Sequence, residues 1–405
     1  MENLILFDDD RREHLKPFTY TRPIGEFRVG ILKIREKWQR GLRKKIAYYH
    51  TADYLSTKYP IHYEAFNLLV NGSILPNDEL CIRILKMPIH QVLVQGETVV
   101  AAKLEKEDAR AFFAQELSPR IQSVETDIKF SKIDNLWDIF QKNGEEIERD
   151  FKLITANRRS QPLSPSNHVI GDRSRIFLEK GVSAECAIFN TTTGSIYLGT
   201  DSTVMEGSII RGNFALCTNA CTKLGTRIYG ATTIGPQAKI GGEVNNSVIF
   251  GYSNKAHEGF LGHTVVGEWC NMGADSSNSD LKNNYGEVRI WNYPQNSFVR
   301  TGTEFCGLML GDHSKCAVNT SFNTGAVVGV FANIFGGAPA KFVPSFSWGN
   351  AASSVTYQLD KVFETAALVM KRRNQKLREE DKEILAHVMA VSSQYRNWEK
   401  KKKEI

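Results

Sequence analysis

The sequence has no apolar run near the roughly 18 residues that a membrane span requires, and no signal-like segment opens it. Its seven cysteines are odd in number, and none forms a CxxC pair or a zinc-spaced cluster with histidine. We therefore expect reduced thiols, a cytoplasmic protein and no membrane partner. The net charge of +6 is mild and spread along the chain, which favours phosphate-like ligands over nucleic acid. The basic run KKKK at 400–403 is typical of a solvated tail.

The length of 405 residues suggests more than one core, and the texture of the chain divides it into four parts. Residues 1–157 mix strand-like runs (LILF, CIRILKM, QVLVQ, TVVAAKL) with helical ones (ILKIREKWQRGL), which predicts an α/β domain. Within it, residues 135–154 read as one or two closing helices. A Pro/Ser-rich linker is expected at 158–168. The last part, 346–405, carries apolar stripes at helical spacing, with Val355 in the first stripe, and predicts helices that cap the preceding part.

Between the linker and these helices, residues 169–345 repeat a pair made of an apolar residue and glycine. The pairs include Ile170-Gly171, Leu198-Gly199, Leu224-Gly225, Ile234-Gly235, Ile240-Gly241, Val266-Gly267, Met272-Gly273 and Leu310-Gly311. The pairs at 234/240 and at 266/272 are six residues apart, which is the hexapeptide signature of a parallel β-helix: the apolar residue points inward and glycine allows the tight corner. A β-sandwich is the alternative, but it lacks a period of six. The polar stretch 276–305 interrupts the repeat, and long loops of this kind usually bind a ligand.

Two stretches carry a resemblance to a known family. LKPFTYTRPIGEFRVG (residues 15–30), which follows an opening strand, is similar to the second half of the nucleotidyltransferase motif, although DDDRREH replaces its glycine-rich loop. NKAHEGFLGHTVVGEWCNMGA (residues 254–274) is similar to the acetyltransferase segment of the same family. The chain thus resembles the bifunctional N-acetylglucosamine-1-phosphate uridylyltransferase/glucosamine-1-phosphate acetyltransferases, and especially their shortened alternative bacterial branch.

This resemblance implies a left-handed β-helix, a homotrimer, and the synthesis of UDP-N-acetylglucosamine from a sugar phosphate, acetyl-CoA and a nucleoside triphosphate. By the match, His257 would be the general base that takes the proton of the sugar amine. A corner histidine with a structural role is the alternative. The match further implicates Asn271 for the sugar, with a stacked asparagine inside the coil as the alternative. It also implicates Asn284 and Tyr285 for acetyl-CoA and Lys282 for phosphate, with a plain turn as the alternative. Arg211 and Arg227, on earlier coils, are the cations available for phosphate in place of the missing family lysines.

The chain also departs from the family pattern at this segment. Phe260 stands where the family has a tyrosine that contacts the sugar, and Asn246-Ser247 replace a lysine pair. Asp275 replaces a glycine. His263 lies near a family aspartate position, and a surface role is the expectation for it. These departures keep a purely structural β-helix open as an alternative.

At the N-terminus, arginine forks would have to replace the missing glycine loop as the phosphate grip. The residues expected to contact the nucleotide phosphates are Arg11, Arg12, Lys16 and Arg22, with Arg28 as a further cation. Asp8 and Asp9, together with Asp10, are weak candidates for Mg²⁺, and a solvated strand end is the alternative. Three functions therefore remain open: the bifunctional enzyme, a sugar-1-phosphate nucleotidyltransferase (thymidylyltransferase-like, for example) with a structural β-helix, and a non-catalytic scaffold.

Overall fold

The structure, a computed structural model, describes residues 2–46, 48–114, 116 and 118–401. Residues 402 and 403 of the basic run therefore lie outside the described part of the chain. The chain forms two compact units. The first comprises Met1–Leu15, Thr21–Phe27 and Leu32–Asn135, and the second comprises Lys16–Tyr20, Arg28–Ile31 and Leu136–Ile405.

The first unit is built on a six-stranded mixed sheet with the strand order β2-β1-β3-β6-β5-β7. Its strands are β1 (Glu2–Phe7), β2 (Tyr48–His50), β3 (Phe66–Asn71), β5 (Gln91–Gln95), β6 (Thr98–Glu105) and β7 (Gln122–Glu125), with β4 (Ile74–Leu75) and β8 (Ser131–Lys132) forming a separate pair. Three helices accompany them: α1 (Ile34–Gly41), α2 (Asp78–Leu85) and α3 (Lys106–Phe113). Strand β1 pairs in parallel with both β2 and β3, and Leu4, Ile5 and Leu6 are buried, as a strand covered on both faces requires.

The segment CIRILKM (residues 81–87) was expected as a strand, but its first five residues lie in helix α2. The Asn77 side chain accepts a hydrogen bond from the Leu80 amide (2.9 Å) and so caps the helix N-terminus. Cys81 and Ile84 are buried, whereas Ile82 is exposed. The strand prediction was wrong because a run of apolar residues does not show which of them face solvent. The Asn77 cap starts a helix before the run, so the run follows the helical period.

Helices α4 (Asp138–Gln141) and α5 (Asn143–Thr155) were expected as closing helices, and they belong to the second unit. The Asn143 side chain accepts hydrogen bonds from the Gly30 amide (2.8 Å) and the Thr233 hydroxyl (3.0 Å). Glu148 accepts hydrogen bonds from the amide (2.6 Å) and hydroxyl (3.0 Å) of Ser195. These bonds fix α5 against the early coils of the repeat region.

The repeat region is a parallel β-solenoid with three sheets, which confirms the predicted β-helix and is consistent with the left-handed form. The first solenoid sheet contains β10 (Ile176–Leu178), β13 (Ile196–Leu198), β16 (Phe214–Leu216), β19 (Thr232–Ile234), β22 (Val248–Gly251), β25 (Val265–Glu268), β30 (Leu308–Leu310), β33 (Ala326–Val328) and β35 (Phe342–Val343). The second contains β11 (Ser183–Ala184), β14 (Thr203–Val204), β17 (Cys221–Thr222), β20 (Lys239–Ile240), β23 (Asn254–Lys255), β26 (Asn271–Met272), β31 (Lys315–Cys316), β34 (Asn333–Ile334), β36 (Ser347–Gly349) and β37 (Ser354–Thr356). The third contains β9 (His168–Ile170), β12 (Ile188–Asn190), β15 (Ile209–Arg211), β18 (Arg227–Tyr229), β21 (Glu243–Asn245) and β24 (Phe260–Gly262).

The third solenoid sheet ends at β24, one coil before the long polar stretch. The next coil supplies β27 (Ser277–Asn278), which pairs with β32 (Ser321–Phe322) in a sheet of its own. Between these strands the chain leaves the coil and forms an antiparallel hairpin of β28 (Arg289–Asn292) and β29 (Ser297–Arg300). A bridge between Leu281 and Phe305 closes the neck of this insertion. We call residues 279–306 the insertion.

The C-terminal part starts with a strand. Val355 was expected on a helical stripe, but it lies in β37, which pairs antiparallel with β36, and it is half exposed. The helices that follow are α6 (Leu359–Lys371), α7 (Glu379–Val391) and α8 (Asn397–Lys401). Arg396 donates to the Ser345 carbonyl (3.4 Å), so the end of the chain packs on the last coils, as a cap would. None of the helices in the described part of the chain has the length and apolar character that a membrane crossing needs.

Candidate active sites

The first candidate site lies where the parallel strands β1 and β3 end. Asp8 and Asp9 follow β1, and Asn71 ends β3. Gly72 continues from β3 and donates its amide to the Phe7 carbonyl (2.7 Å), which holds the two strand ends together. In open α/β sheets, ligands bind outside the carboxyl ends of parallel strands, so this edge is where a nucleotide would be expected.

The inner layer of this edge is a buried ion pair between Asp8 and Arg12. One Asp8 oxygen accepts from the Arg12 guanidinium (2.8 Å) and the Thr51 hydroxyl (2.6 Å), and the other accepts from the Ile24 amide (2.8 Å). Burial raises the pKa of Asp8, and the nearby Arg12 charge opposes that rise. Arg12 also donates to Tyr54 (2.9 Å). Both side chains therefore serve the local structure, and a phosphate would reach Arg12 only by disrupting it.

The outer layer is centred on Asp9 and Lys132. Asp9 accepts from Asn71 (3.0 Å), Ser73 (3.1 Å) and the Lys132 ammonium (2.9 Å). Lys132 also contacts Asp134 (2.8 Å), whose carboxylate lies 3.5 Å from Arg11. Lys132 was not predicted from the sequence because nothing in the segment FSKIDN marks its lysine. Only the pairing of β8 with β4 brings it to the strand edge.

The expected Mg²⁺ ligands do not fit a metal ion as they stand. Asp8 is paired with Arg12 and Asp9 with Lys132, so each carboxylate is already neutralised by a cation. Oxygen atoms that bind Mg²⁺ have to be free of competing cations. We therefore derive no step through a metal at this edge.

Three of the predicted cations, Arg22, Lys16 and Arg28, are not among the residues that form the outer layer described above. Arg22 is buried, and its carbonyl is 3.5 Å from the Arg12 guanidinium. Lys16 belongs to the second unit, where its ammonium lies over the Tyr20 ring (5.1 Å), and Arg28 of that unit donates to the Ile31 carbonyl. Of the predicted set, the structure thus brings Arg11 and Asp9 to the outer layer, joined by Lys132.

A second polar cluster of the first unit was not predicted. His90 lies 3.0 Å from Asp108, and Glu105 is close enough for the three residues to share one ion. Arg120 contacts both carboxylates, at 2.9 Å for Asp108 and 3.2 Å for Glu105. This arginine already neutralises the acidic pair, so the cluster is a salt-bridge network as described.

The second candidate site lies on the solenoid, at the two ends of β24. The third solenoid sheet aligns Arg227 with Glu243 and Phe260, and Arg211 lies on the neighbouring strand β15. Both arginines are exposed, and Arg227 pairs with Glu258 at 2.9 Å. These two predicted phosphate contacts thus share one face of the solenoid.

His257 lies at the corner before β24 and is exposed. Among the described residues, no hydrogen bond to its ring is found, and its carbonyl accepts from the buried Lys255 ammonium (2.6 Å). Lys255 also donates to the carbonyls of Gly241 (3.1 Å) and Glu258 (2.9 Å), and burial lowers its pKa to about 8. The corner is therefore built around Lys255, while the His257 ring projects from it without an orienting partner in the described chain.

Asn271 lies on a different face. It belongs to β26 of the second solenoid sheet, where it accepts from Asn254 at 3.4 Å. Asn254 in turn accepts from Arg373, near the end of α6 (3.0 Å). Asn271 thus forms a stack with Asn254 on the outside of the coil, where it is exposed, and not inside the coil.

The residues expected to hold acetyl-CoA lie at the start of the insertion. Asn284 accepts from the Gly286 amide (3.1 Å), which makes a tight turn, and Lys282 donates to the Glu287 carbonyl. Tyr285 projects from this turn with 68% of its surface exposed and a φ of +53°. The turn offers an exposed aromatic ring next to a cation.

His263 lies at the other end of β24, at the corner that leads into β25. Its Nδ1 is 2.8 Å from Asp280, the second residue of the insertion. The ring centroid is 5.7 Å from that of Phe140 and 5.0 Å from that of Phe305. The expectation of a plain surface role missed this pair, because Asp280 is 17 residues away in sequence and only the stacking of coils brings it near.

The chain is similar to known proteins over parts of its length. Residues 4–159 match the family model of sugar nucleotidyl transferases. A bifunctional sugar-1-phosphate nucleotidylyltransferase/acetyltransferase of Sulfurisphaera tokodaii is 24% identical over 147 residues, which is 36% of this chain and 36% of the relative. The chain thus spans about a third of the length of the curated relative it matches. The solved structure of the polySia specific acetyltransferase NeuO is similar at 13% identity and a TM-score of 0.25, over 47% of this chain and 82% of that chain.

Residues 4–159 therefore carry a domain of the sugar nucleotidyl transferase family, and a parallel β-solenoid follows it. The predicted combination of these two parts is confirmed.

Proposed function

We propose that the protein is a bifunctional transferase, which acetylates glucosamine-1-phosphate with acetyl-CoA on the solenoid and joins the product to a uridylyl group in the N-terminal domain. The observation that carries this proposal is the sugar nucleotidyl transferase match over residues 4–159, followed by a parallel β-solenoid. The relative from Sulfurisphaera tokodaii is named for both activities. A homotrimer and a role in UDP-N-acetylglucosamine synthesis belong to this proposal through the resemblance described above.

In the N-terminal domain, the outer layer of the strand edge would hold the triphosphate. Arg11 is partly exposed and Lys132 lies 2.9 Å from Asp9, so both cations can exchange a carboxylate partner for a phosphate. Such an exchange gives each cation a new charge-assisted contact, while Asp9 keeps its hydrogen bonds from Asn71 and Ser73. Lys132 and Arg11 would therefore take the part that backbone amides of a glycine loop play elsewhere.

On the solenoid, the exposed face of the third sheet would bind the sugar phosphate and the insertion would bind acetyl-CoA. Arg211 and Arg227 supply two cations on adjacent strands, in place of the lysines that the family pattern leads one to expect at Asn246-Ser247. Tyr285 offers an exposed ring for a base or a pantetheine arm, and Lys282 adds a positive charge. By the resemblance, the general base would be His257.

A second candidate is a sugar-1-phosphate nucleotidyltransferase with a structural solenoid. Two observations favour it: Phe260 cannot donate the hydrogen bond of a tyrosine, and Asn271 is engaged in a stack with Asn254. In that case the protein would release pyrophosphate from a nucleoside triphosphate and a sugar-1-phosphate, but no free thiol from acetyl-CoA.

The test measures both products with the purified full-length chain. Thiol release is followed with acetyl-CoA and glucosamine-1-phosphate, and pyrophosphate release with UTP or dTTP, N-acetylglucosamine-1-phosphate and Mg²⁺. The bifunctional proposal expects both products, with UTP preferred. Release of pyrophosphate without thiol would support the second candidate. If neither product is released, both candidate functions are contradicted.

A further inference from the structure

We propose that His263, oriented by Asp280, is the group that takes the proton from the acyl acceptor on the solenoid, in place of His257. This inference rests on the acetyl transfer proposed above. It goes beyond the resemblance, which leads to the other end of β24.

His263 occupies a corner position that recurs in the stacked coils. The register Tyr229–Asn245–Gly262 places residues 230, 246 and 263 at the same corner of three successive coils. All three have a positive φ: +67° at Gly230, +46° at Asn246 and +46° at His263. Glycine and asparagine adopt this conformation with the least strain, and the two earlier coils use them. Other side chains also take this conformation at corners of the solenoid, such as Trp269 and Phe331, so the corner fixes where the His263 side chain starts without requiring a histidine.

Gly262 leaves space for the Asp280 carboxylate beside His263. A Cβ atom at Gly262 would lie 2.3 Å from the Asp280 Oδ2, which is too close for any side chain. The absence of a side chain at 262 therefore admits Asp280 to the histidine. The His263 and Asp280 side chains are 15% and 14% exposed, so the pair is largely shielded while an edge of the ring remains within reach of solvent.

The contact with Asp280 sets which nitrogen of the His263 ring carries the proton. An ionised carboxylate only accepts hydrogen bonds, so the Nδ1–H of His263 donates to Asp280. In the neutral ring, Nε2 is then the acceptor, which is the tautomer that a general base needs. The two phenylalanine rings beside it, Phe140 and Phe305, restrict water around the imidazole.

The insertion starts and ends next to His263. Its neck closes at His263, because the Cys306 amide donates to the Asp280 carbonyl (2.9 Å) and the Gly307 amide donates to the His263 carbonyl (2.9 Å). Asn284 and Tyr285, the residues proposed to hold acetyl-CoA, follow within five residues of Asp280. His257 is six residues from His263, a stretch that spans up to about 20 Å when extended.

The lone pair of the sugar nitrogen attacks the carbonyl carbon of the acetyl thioester, and a C–N bond forms. The proton of that nitrogen moves to Nε2 of His263. The C–S bond breaks, the sulfur of CoA leaves with the bonding electrons, and the imidazolium returns the proton to it. The products are the N-acetyl sugar phosphate and free CoA, and His263 ends in its starting state.

The test compares variants of the full-length protein by thiol release from acetyl-CoA with glucosamine-1-phosphate. His263→Asn keeps the corner, because Asn246 occupies the same position one coil earlier. We expect it to lower kcat by about 10²-fold or more, with KM for acetyl-CoA within about three-fold. His168→Asn, an exposed histidine of β9 on the same sheet, is the matched control and should retain the activity of the wild type.

Asp280 acts through His263 as a positioning residue, so Asp280→Asn should lower kcat by about ten-fold and leave KM nearly unchanged, and Asp280→Glu should recover part of the loss. His257→Asn separates the two ends of β24: the loss in His263→Asn should exceed the loss in His257→Asn by at least ten-fold. A wild-type enzyme that releases thiol while His263→Asn keeps its kcat would overturn the inference and leave the acetyl transfer intact. A wild-type protein that releases no thiol would reject the acetyl transfer itself, and the inference with it.

Discussion

The carboxyl edge of β1 and the corner after β24 use charged side chains in opposite ways. At the strand edge, each acid is matched by a cation: Asp8 by Arg12 and Asp9 by Lys132. At the solenoid corner, Asp280 contacts only Nδ1 of His263, and Nε2 of the ring has no hydrogen-bond partner among the described residues. Residue types alone therefore do not mark a reactive site. A side chain can take part in a reaction only where its partners leave one of its atoms available.

The largest expected effect would break the strand-edge half of this comparison. Asp8→Ala leaves the buried Arg12 without its carboxylate, and losing one member of a buried pair costs about 3–5 kcal/mol of unfolding free energy. Urea unfolding measures it. Asp10→Ala is the matched control, because the Asp10 side chain is 83% exposed, and its change should stay below about 0.5 kcal/mol. An equal loss in both variants would contradict a structural role for the Asp8–Arg12 pair.

The next effect concerns Glu26, which receives hydrogen bonds from Lys33 (2.9 Å), Arg35 (2.8 Å) and Tyr49. Despite burial, these cations lower its pKa from 4.5 to about 2. Because the folded pKa lies below the unfolded one, the stabilisation is complete above pH 4.5 and is lost as the pH falls through 2. Glu26→Gln should therefore cost roughly 3 kcal/mol at pH 7 and much less near pH 2.

Unfolding curves between pH 7 and pH 2 measure this convergence. The exposed Glu97→Gln serves as the control and should follow the wild type throughout. A constant gap between Glu26→Gln and the wild type across the range would show that the carboxylate charge is not what stabilises the fold.

A smaller effect would break the solenoid half. Gly262→Ala places a methyl group where the Asp280 carboxylate lies, so we expect kcat for thiol release to fall by about ten-fold. If the effect passes through Asp280, the double variant with Asp280→Asn should lose no more than Asp280→Asn alone. Additive losses in this cycle would mean that Gly262 acts by another route, for example through Phe260, whose ring is 2.5 Å from the same Cβ position.

The repeat architecture was predictable because its signal is local. Pairs such as Ile234-Gly235 and Ile240-Gly241 are six residues apart, and each marks one side of a triangular coil. The site was less predictable, because its contacts join residues that are distant in sequence. Asp280 meets His263 only when one coil stacks on the next, and Lys132 reaches Asp9 only through the pairing of β8 with β4. Likewise, CIRILKM reads as a strand until the Asn77 cap is seen to start a helix.

The most direct test of two separate sites is to supply the intermediate. His263→Asn is incubated with acetyl-CoA, UTP and Mg²⁺, once with glucosamine-1-phosphate and once with N-acetylglucosamine-1-phosphate, and the nucleotide sugar is measured by mass spectrometry. Our account predicts that the variant forms UDP-N-acetylglucosamine from the acetylated sugar phosphate at close to the wild-type rate, and about 10²-fold more slowly from the amine. Equal rates from both substrates, or loss of both reactions, would contradict it.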